Sequence, residues 1–303
     1  MTLKASSTPE SWSDMRSFTA ILNPISGGGH ALQRWAPVRQ QLEREGAPVA
    51  TVLTRDVHHA KDVAAEAVSQ GRIVVAVGGD GLLREIAPAV MEGGGQLGVV
   101  PAGRGNGFAA KLSIPDTADL QAHTLLNAQP RAIDVLEVNG RIVLGNAYAG
   151  LDSVANIMLN NSRVPSAIAY QVAPVLAIVR WKPALFEIDL DGNRLSCEAH
   201  FVVVANTGRY GHGLRIAPDA RMDDGLFDLV IVGAGIRKSR VASFMKLAQS
   251  GSHVHDPNVQ VHRGQNVRFH ANRPLPLCFD GDQFGYLPAS ATVQAAALWV
   301  IAQ

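Results

Sequence analysis

The stretch Ile73-Val74-Val75-Ala76-Val77-Gly78-Gly79-Asp80-Gly81-Leu82-Leu83-Arg84-Glu85-Ile86 decides the fold. Ile73 to Val77 is apolar and mostly β-branched with no polar alternation, the mark of a strand buried on both faces. A glycine turn around one aspartate follows, and Leu82 to Met91 then carries helical spacing. A buried strand leading through a glycine turn into a helix is a unit of a parallel α/β sheet. Working outward, the alternation repeats. Phe18 to Leu22, Pro48 to Leu53 and Leu97 to Val100 read as strands, and His30 to Glu45 (with Pro37 inside) and His58 to Gln70 as helices. The first half is therefore expected to be a parallel sheet with helices on both faces.

The character changes near Arg131. Strand runs dominate from there: Ile133 to Val138, Arg141 to Ala147, Leu185 to Leu190, Leu195 to Ala205, Leu226 to Val232, Asn266 to His270, Leu277 to Phe279 and Thr292 to Ile301. Asn139-Gly140 and Asp191-Gly192-Asn193 are hairpin turns between such runs. Val164 to Arg180 and Ile236 to Ser250 read as helices. The expected organisation is a loose tail over 1–16, an α/β domain over 17–131, and a β-rich, mostly antiparallel domain over 132–303. A return of the last strand to the first domain is left open.

Composition narrows the function. The chain has 303 residues, 47% of them hydrophobic and 17% charged, which excludes disorder and provides for a sizeable core. A net charge of +1 gives no field for nucleic acid. Cys197 and Cys278 form no CxxC pair, so neither a disulfide scaffold nor a thiolate zinc site is expected. The N-terminal segment lacks the apolar core of a secretory signal. The longest apolar run, Val172 to Trp181, holds Pro174 and Arg180 and falls short of the roughly 20 residues that span a bilayer. A cytoplasmic protein, at most peripheral to a membrane, is expected.

Three glycine-rich turns close three strands of the first half: Asn23-Pro24-Ile25-Ser26-Gly27-Gly28-Gly29, Gly78-Gly79-Asp80-Gly81, and Pro101-Ala102-Gly103-Arg104-Gly105-Asn106-Gly107. Ligands of open parallel sheets bind at the carboxyl ends of the strands. Each turn precedes a helix, whose free N–H groups suit phosphate, and glycine permits close backbone approach. Neither GxxxxGK[ST] nor a strand-linked GxGxxG is present. Asp80 fits two readings, a functional carboxylate or the N-cap of its own helix. His58-His59 and His253/His255 lack further ligands and are not expected to hold metal. Asp152 suits either a headgroup contact or a helix cap. The apolar helix predicted over Val164 to Arg180 suits a core element or one wall of an acyl-chain pocket.

In order and spacing, LNPISGGG, VGGDGLLREI and PAGRGNGFA resemble the diacylglycerol kinase catalytic-domain family, which includes bacterial lipid kinases and sphingosine kinases. Asn206 to Gly213, Ala217-Pro218-Asp219-Ala220 and Asp223-Asp224-Gly225-Leu226-Phe227-Asp228 resemble its second-half motifs, and Phe279-Asp280-Gly281-Asp282 sits where the family reads Asp-Gly-Glu. The resemblance implies ATP- and Mg²⁺-dependent phosphorylation of a lipid hydroxyl. Carried over by position, it implies nucleotide contacts from Asn23, Pro24, Ser26, Gly27, Thr54, Gly79, Gly81, Glu85, Gly103, Arg104 and Asn106. It implies catalytic roles for Asp80 and Asp282, and a magnesium ion on the Asp224 carboxylate with the carbonyls of Arg221 and Leu226. The implied partners are a lipid substrate met by transient peripheral membrane contact, with a homodimer allowed for and no nucleic acid.

Three departures stand out. Leu82 replaces the threonine of bacterial members, as in sphingosine kinases. Arg104 replaces a threonine, and Asp282 is one methylene shorter than the family's glutamate. Two alternatives follow: a NAD-kinase-like enzyme acting on a soluble nucleotide, or an inactive nucleotide- or lipid-binding protein.

Overall fold

A computed structural model describes residues 16–24, 28–103, 106–160, 181–210 and 213–302. Ser26, Gly27, Arg104, residues 1–15 of the tail and the helix expected over 164–180 lie outside the described residues; Arg16 donates to Leu125 O at 2.6 Å and Ala128 O at 2.8 Å.

The first half is a βα alternation: β1 Phe18–Leu22, α1 Ala31–Arg44, β2 Val49–Leu53, α2 Val57–Ser69, β3 Ile73–Gly78, α3 Asp80–Glu92, β4 Gln96–Pro101, α4 Gly107–Lys111 and α5 Ala118–Asn127. The strands pair in parallel in the order β4-β3-β1-β2. β3 lies in the middle, and every residue of it is buried. Its Val75 and Val77 pack with Trp35, Val38 and Leu42 of α1 and Leu125 of α5. Its Val74 and Ala76 face the other way, toward Ala60 and Ala64 of α2 and Leu83 and Ile86 of α3. Helices on both faces explain why the run Ile73 to Val77 shows no polar alternation.

The second half contains β5 Pro130–Val138, β6 Arg141–Val143, β7 Asn146–Gly150, α6 Leu151–Asn160, β8 Ala184–Leu190, β9 Asn193–Ala205, β10 Phe227–Gly233, α7 Val241–Ser250, β11 Val259–Gly264, β12 Asn266–Ala271, β13 Pro276–Phe279, β14 Asp282–Tyr286 and β15 Ala289–Ile301. Among the described strands of this half the pairings are antiparallel. β9 is long enough to serve two layers. Its first part pairs with β8, and its last residues lie between β7 and β10. Phe186, Ile188, Val267 and Phe269 on one side meet Val202, Val204, Leu229 and Phe279 on the other in a shared core.

Two details differ from the sequence reading. The single strand expected over Arg141 to Ala147 is broken at Leu144-Gly145, because the Asp280 carboxylate takes the N–H groups of Gly145 and Asn146 and turns the chain aside. The helix expected from Ile236 starts at Val241, after a short 3₁₀ turn at Lys238–Arg240.

β15 joins the halves. Its first part pairs with β12 and β5, and Trp299 and Val300 then pair in parallel with Gln96 and Leu97 of β4. Between these parts the register against β5 shifts, and Ala296 stands at φ +50°. Asp134, 2% exposed, stabilises the bulge: it accepts N–H bonds from Ala296 (2.8 Å) and from Gly225 (2.7 Å). Asp134→Ala would orphan both buried donors, and hydrogen bonds to a charged group contribute about 1.5–3 kcal/mol each. The expected loss is about 3 kcal/mol by urea denaturation; a loss under about 0.5 kcal/mol would show that Asp134 is not the bulge's anchor.

Candidate active site

The carboxyl ends of β1, β3 and β4 bring the glycine turns together. Gly79 and Gly103 touch backbone to backbone. A Cβ on Gly103 would stand 2.4 Å from the Gly79 Cα, and one on Gly79 would stand 3.0 Å from the Gly103 Cα. No side chain fits at Gly103 unless the two turns part. Asn106 holds the third turn in shape from the left-handed region (φ +47°). Its Oδ1 accepts from Gly103 N at 2.8 Å, and its Nδ2 donates to Gly103 O at 3.0 Å.

Asp80 spans the same gap. Gly79, not Asp80, is the N-cap of α3. The Asp80 carboxylate instead accepts from Gly107 N (2.9 Å) and Phe108 N (3.1 Å), at the start of the next helix, α4. The expectation that Asp80 could cap its own helix is corrected: Gly79 holds that place, and Asp80 binds the second turn to the third through the first N–H groups of α4.

On the first-turn side, Thr54 is buried and donates its hydroxyl to Leu22 O at 3.1 Å. Asn23 is half-buried and Pro24 exposed. A cleft of about 330 Å³ lies between the start of α1 and the third turn, lined by His30, Gln33, Arg34, Ala102, Gly103 and Asn106. Glu85 lies apart from the turns' contacts, paired with Lys61 of α2 at 3.1 Å. Leu82 packs into the core that α2 and α3 share, so this position offers no hydroxyl to a ligand.

The second domain contributes the hairpin β13–β14. Asp282, at the start of β14, meets the first domain directly: its Oδ2 lies 2.8 Å from Nη2 of Arg84 on α3. Asp280, two residues earlier, sits at φ +47° and accepts from Asn146 N (2.7 Å) and Gly145 N (3.2 Å). Burial and the nearby Asp80 charge push its carboxyl up to about 6, against the pull of the Asn146 N–H. The signal for Asp280 in the sequence is the Asp280-Gly281 dipeptide, which marks a turn in which the aspartate itself takes positive φ.

Asp152, in the first turn of α6, accepts from the Tyr210 hydroxyl at 2.9 Å, and the Tyr210 ring lies tilted by 56° against Tyr148 with centroids 5.1 Å apart. Burial pushes Asp152 up to about 7, opposed by the Tyr210 hydrogen bond. On the Asp223-Asp224-Gly225 turn, Asp224 accepts from Leu226 N (3.2 Å) and pairs with Arg263. Arg221 is exposed and bonds Asp223 at 3.0 Å. Burial raises the Asp228 carboxyl, and the charges of Asp224 and Asp219 add to this against the pull of Arg263. Among the described residues no cluster of three or more His, Cys, Asp or Glu side chains forms a metal cage.

Residues 17–138 match the diacylglycerol kinase catalytic domain, and residues 145–302 match the YegS C-terminal NAD kinase beta sandwich-like domain. A diacylglycerol kinase of Mycobacterium tuberculosis (strain ATCC 25618 / H37Rv) is 30% identical over 93% of this chain and 94% of its own length. The chain belongs to the diacylglycerol kinase family. A diacylglycerol kinase of Bacillus subtilis (strain 168) is 29% identical over 90% of this kinase and 92% of its own length. A crystal structure of a diacylglycerol kinase from Bacillus anthracis str. Sterne shares the fold, with a TM-score of 0.69 over 97% of this chain and 98% of that one at 15% identity. The family read from the glycine turns is thus the one the comparisons give, and its members are lipid kinases. In this kinase no described helix is long and apolar enough to cross a membrane.

The raised carboxyls of Asp152 and Asp280 make stability depend on pH. Each holds its proton more tightly folded than unfolded, where an aspartate titrates near 3.9. Their contribution is fully present below about pH 4 and is lost as pH rises through about 6 for Asp280 and about 7 for Asp152. The melting temperature of Asp152→Asn should therefore fall less than the parent's between pH 5 and pH 7.5. Parallel curves for the two proteins would refute this source of the slope.

Proposed function

We propose that this kinase transfers the γ-phosphoryl group of ATP to the hydroxyl of a diacylglycerol- or sphingosine-like lipid in the cleft between its domains. The observation that carries the reading is the contact of Gly79 with Gly103, beside a helix start and a 330 Å³ cleft, at the carboxyl edge of the sheet. That is a cradle for phosphate oxygens. Asn23, Pro24, Ser26, Gly27 and Thr54 would line the nucleotide site from the first turn. Gly79, Asp80 and Gly81 would meet the phosphates and their magnesium-bound waters, and Gly103, Arg104 and Asn106 would close the site; Glu85, paired with Lys61, stands apart from them.

The hydroxyl oxygen of the lipid attacks the γ-phosphorus as the bond to the β-phosphate oxygen breaks. ADP leaves, and the hydroxyl proton passes to a carboxylate, which we assign to Asp282. Asp282 is 58% exposed, and Arg84 engages its Oδ2, so Oδ1 remains to accept a proton. Asp152, with Tyr210 and Tyr148, offers a polar contact for the acceptor headgroup beside the apolar cluster around Val203, Ile216 and Phe244. Full-length diacylglycerol kinase relatives across both domains favour the lipid over a soluble nucleotide.

The hard oxygen donors of the Asp224 carboxylate and the Arg221 and Leu226 carbonyls suit Mg²⁺. Burial chiefly, and next to it the charges of Asp224 and Asp219, raise the Asp228 carboxyl against the pull of Arg263, and a cation would relieve that repulsion. When bound with ATP, Mg²⁺ supplies positive charge to the transferring phosphoryl group.

Asp282→Asn should lower kcat by about 10²–10⁴-fold with the KM for ATP unchanged, measured with labelled ATP on dispersed diacylglycerol. Turnover near the parent's would remove Asp282 as the base. Asp80→Asn should act differently. It sets an NH₂ group against one of the N–H donors at Gly107 and Phe108, so the third turn loosens and the KM for ATP rises as well. Added Mg²⁺ should raise the melting temperature of the parent but not of Asp224→Ala; an equal rise in both would exclude the Asp224 site.

A further inference from the structure

Arg84 is an arginine in an unusual place. It lies in the first turns of α3, one helical turn after Asp80, yet it is 9% exposed. Burying an unpaired guanidinium is costly, so its surroundings must repay that cost. They belong to the other domain. Nη2 meets Asp282 Oδ2 at 2.8 Å, and Nη1 points to Phe279 O at 3.5 Å. The guanidinium lies 4.5 Å from the ring centroid of Phe284, which stacks on Phe279 at 4.7 Å. Within its own helix Arg84 has only a loose contact, Nε to Glu85 Oε1 at 3.9 Å. The residues it touches most closely, Phe279, Asp282 and Phe284, all lie on the hairpin β13–β14.

We propose that Arg84 is a positioning residue: it holds Asp282 at the cleft and locks the β13–β14 hairpin onto the helix that carries Asp80. The inference rests on Asp282 being the proton acceptor and assigns the group that aims it. Asp282 needs such a group. Its side chain is short, it is 58% exposed, and it stands on a short hairpin at the edge of the sheet. Left to solvent, the carboxylate would sample several rotamers, and misplacement by about 1 Å can cost about 100-fold in rate. A guanidinium suits the task because it is planar, permanently charged and able to stack on a ring while donating at its edge. The same contact ties hairpin to helix, so Asp282 is aligned with the phosphate turns when the two domains meet.

The test uses the full chain with labelled ATP and dispersed diacylglycerol. Arg84→Met keeps the unbranched stem over Phe284 and removes the fork. It should lower kcat about 100-fold while the KM for ATP stays within about twofold. Arg84→Lys keeps the charge without the fork and should recover part of the loss. Guanidinium ion added to Arg84→Ala should restore turnover in a saturable way, a response that a fold defect would not give. The double variant Arg84→Met/Asp282→Asn should be no slower than Asp282→Asn alone, because both changes act through one carboxylate. The proposal is overturned if Arg84→Met turns over within twofold of the parent, or if the losses in the double variant multiply. Asp282→Asn separates the two readings. If it is slow while Arg84→Met is fast, the base assignment stands and the positioning role falls; if it is as fast as the parent, both fall.

Discussion

The site depends on two backbones in contact. Gly79 and Gly103 approach so closely that a Cβ on Gly103 would lie 2.4 Å from its neighbour's Cα. That contact brings the ends of β3 and β4 into one edge of the sheet. Asp80 secures it by accepting the N–H groups of Gly107 and Phe108 across the gap. Rigidity of this kind favours catalysis, because a preorganised cradle need not be ordered when the phosphates arrive. It also accounts for Leu82: with the turn fixed by its backbone and by Asp80, the next side chain serves the core.

The second domain is aligned to this edge by charge. Asp80 and Arg84 share a face of α3, and Asp280 and Asp282 come from the opposite hairpin. Burial first, and the Asp80 charge next, raise the Asp280 carboxyl, and the Arg84 guanidinium pulls it back.

Much of this was legible in the sequence, and for definite reasons. Ile73 to Val77 is apolar at every position because helices cover both faces of β3, so the parallel sheet could be read directly. The three turns declared themselves by their glycines. What could not be read was their mutual contact, because it joins distant residues that have no side chains. Asp80 showed itself as a capping residue, but nothing local says that the capped helix is the next one. Arg84 resembles any surface arginine of an amphipathic helix until Phe284 is brought above it. β11 and β14 carry no strand signal in the sequence, because their burial is mixed and their residues largely polar, as befits strands at the sheet's margins.

The path of β15 bears on how the protein is made. Its last residues pair with β4 of the first domain, yet they follow the whole second domain in the chain. During synthesis, β1 to β4 can assemble with their helices early, but the outer edge of β4 stays open until β15 emerges. An apolar strand with unpaired N–H and C=O groups is a template for association with other chains. Leu97, Val99 and Val100 of β4 are such a strand. The nascent chain therefore carries an exposed, sticky edge for most of its time on the ribosome, and the arrival of the final strand closes it.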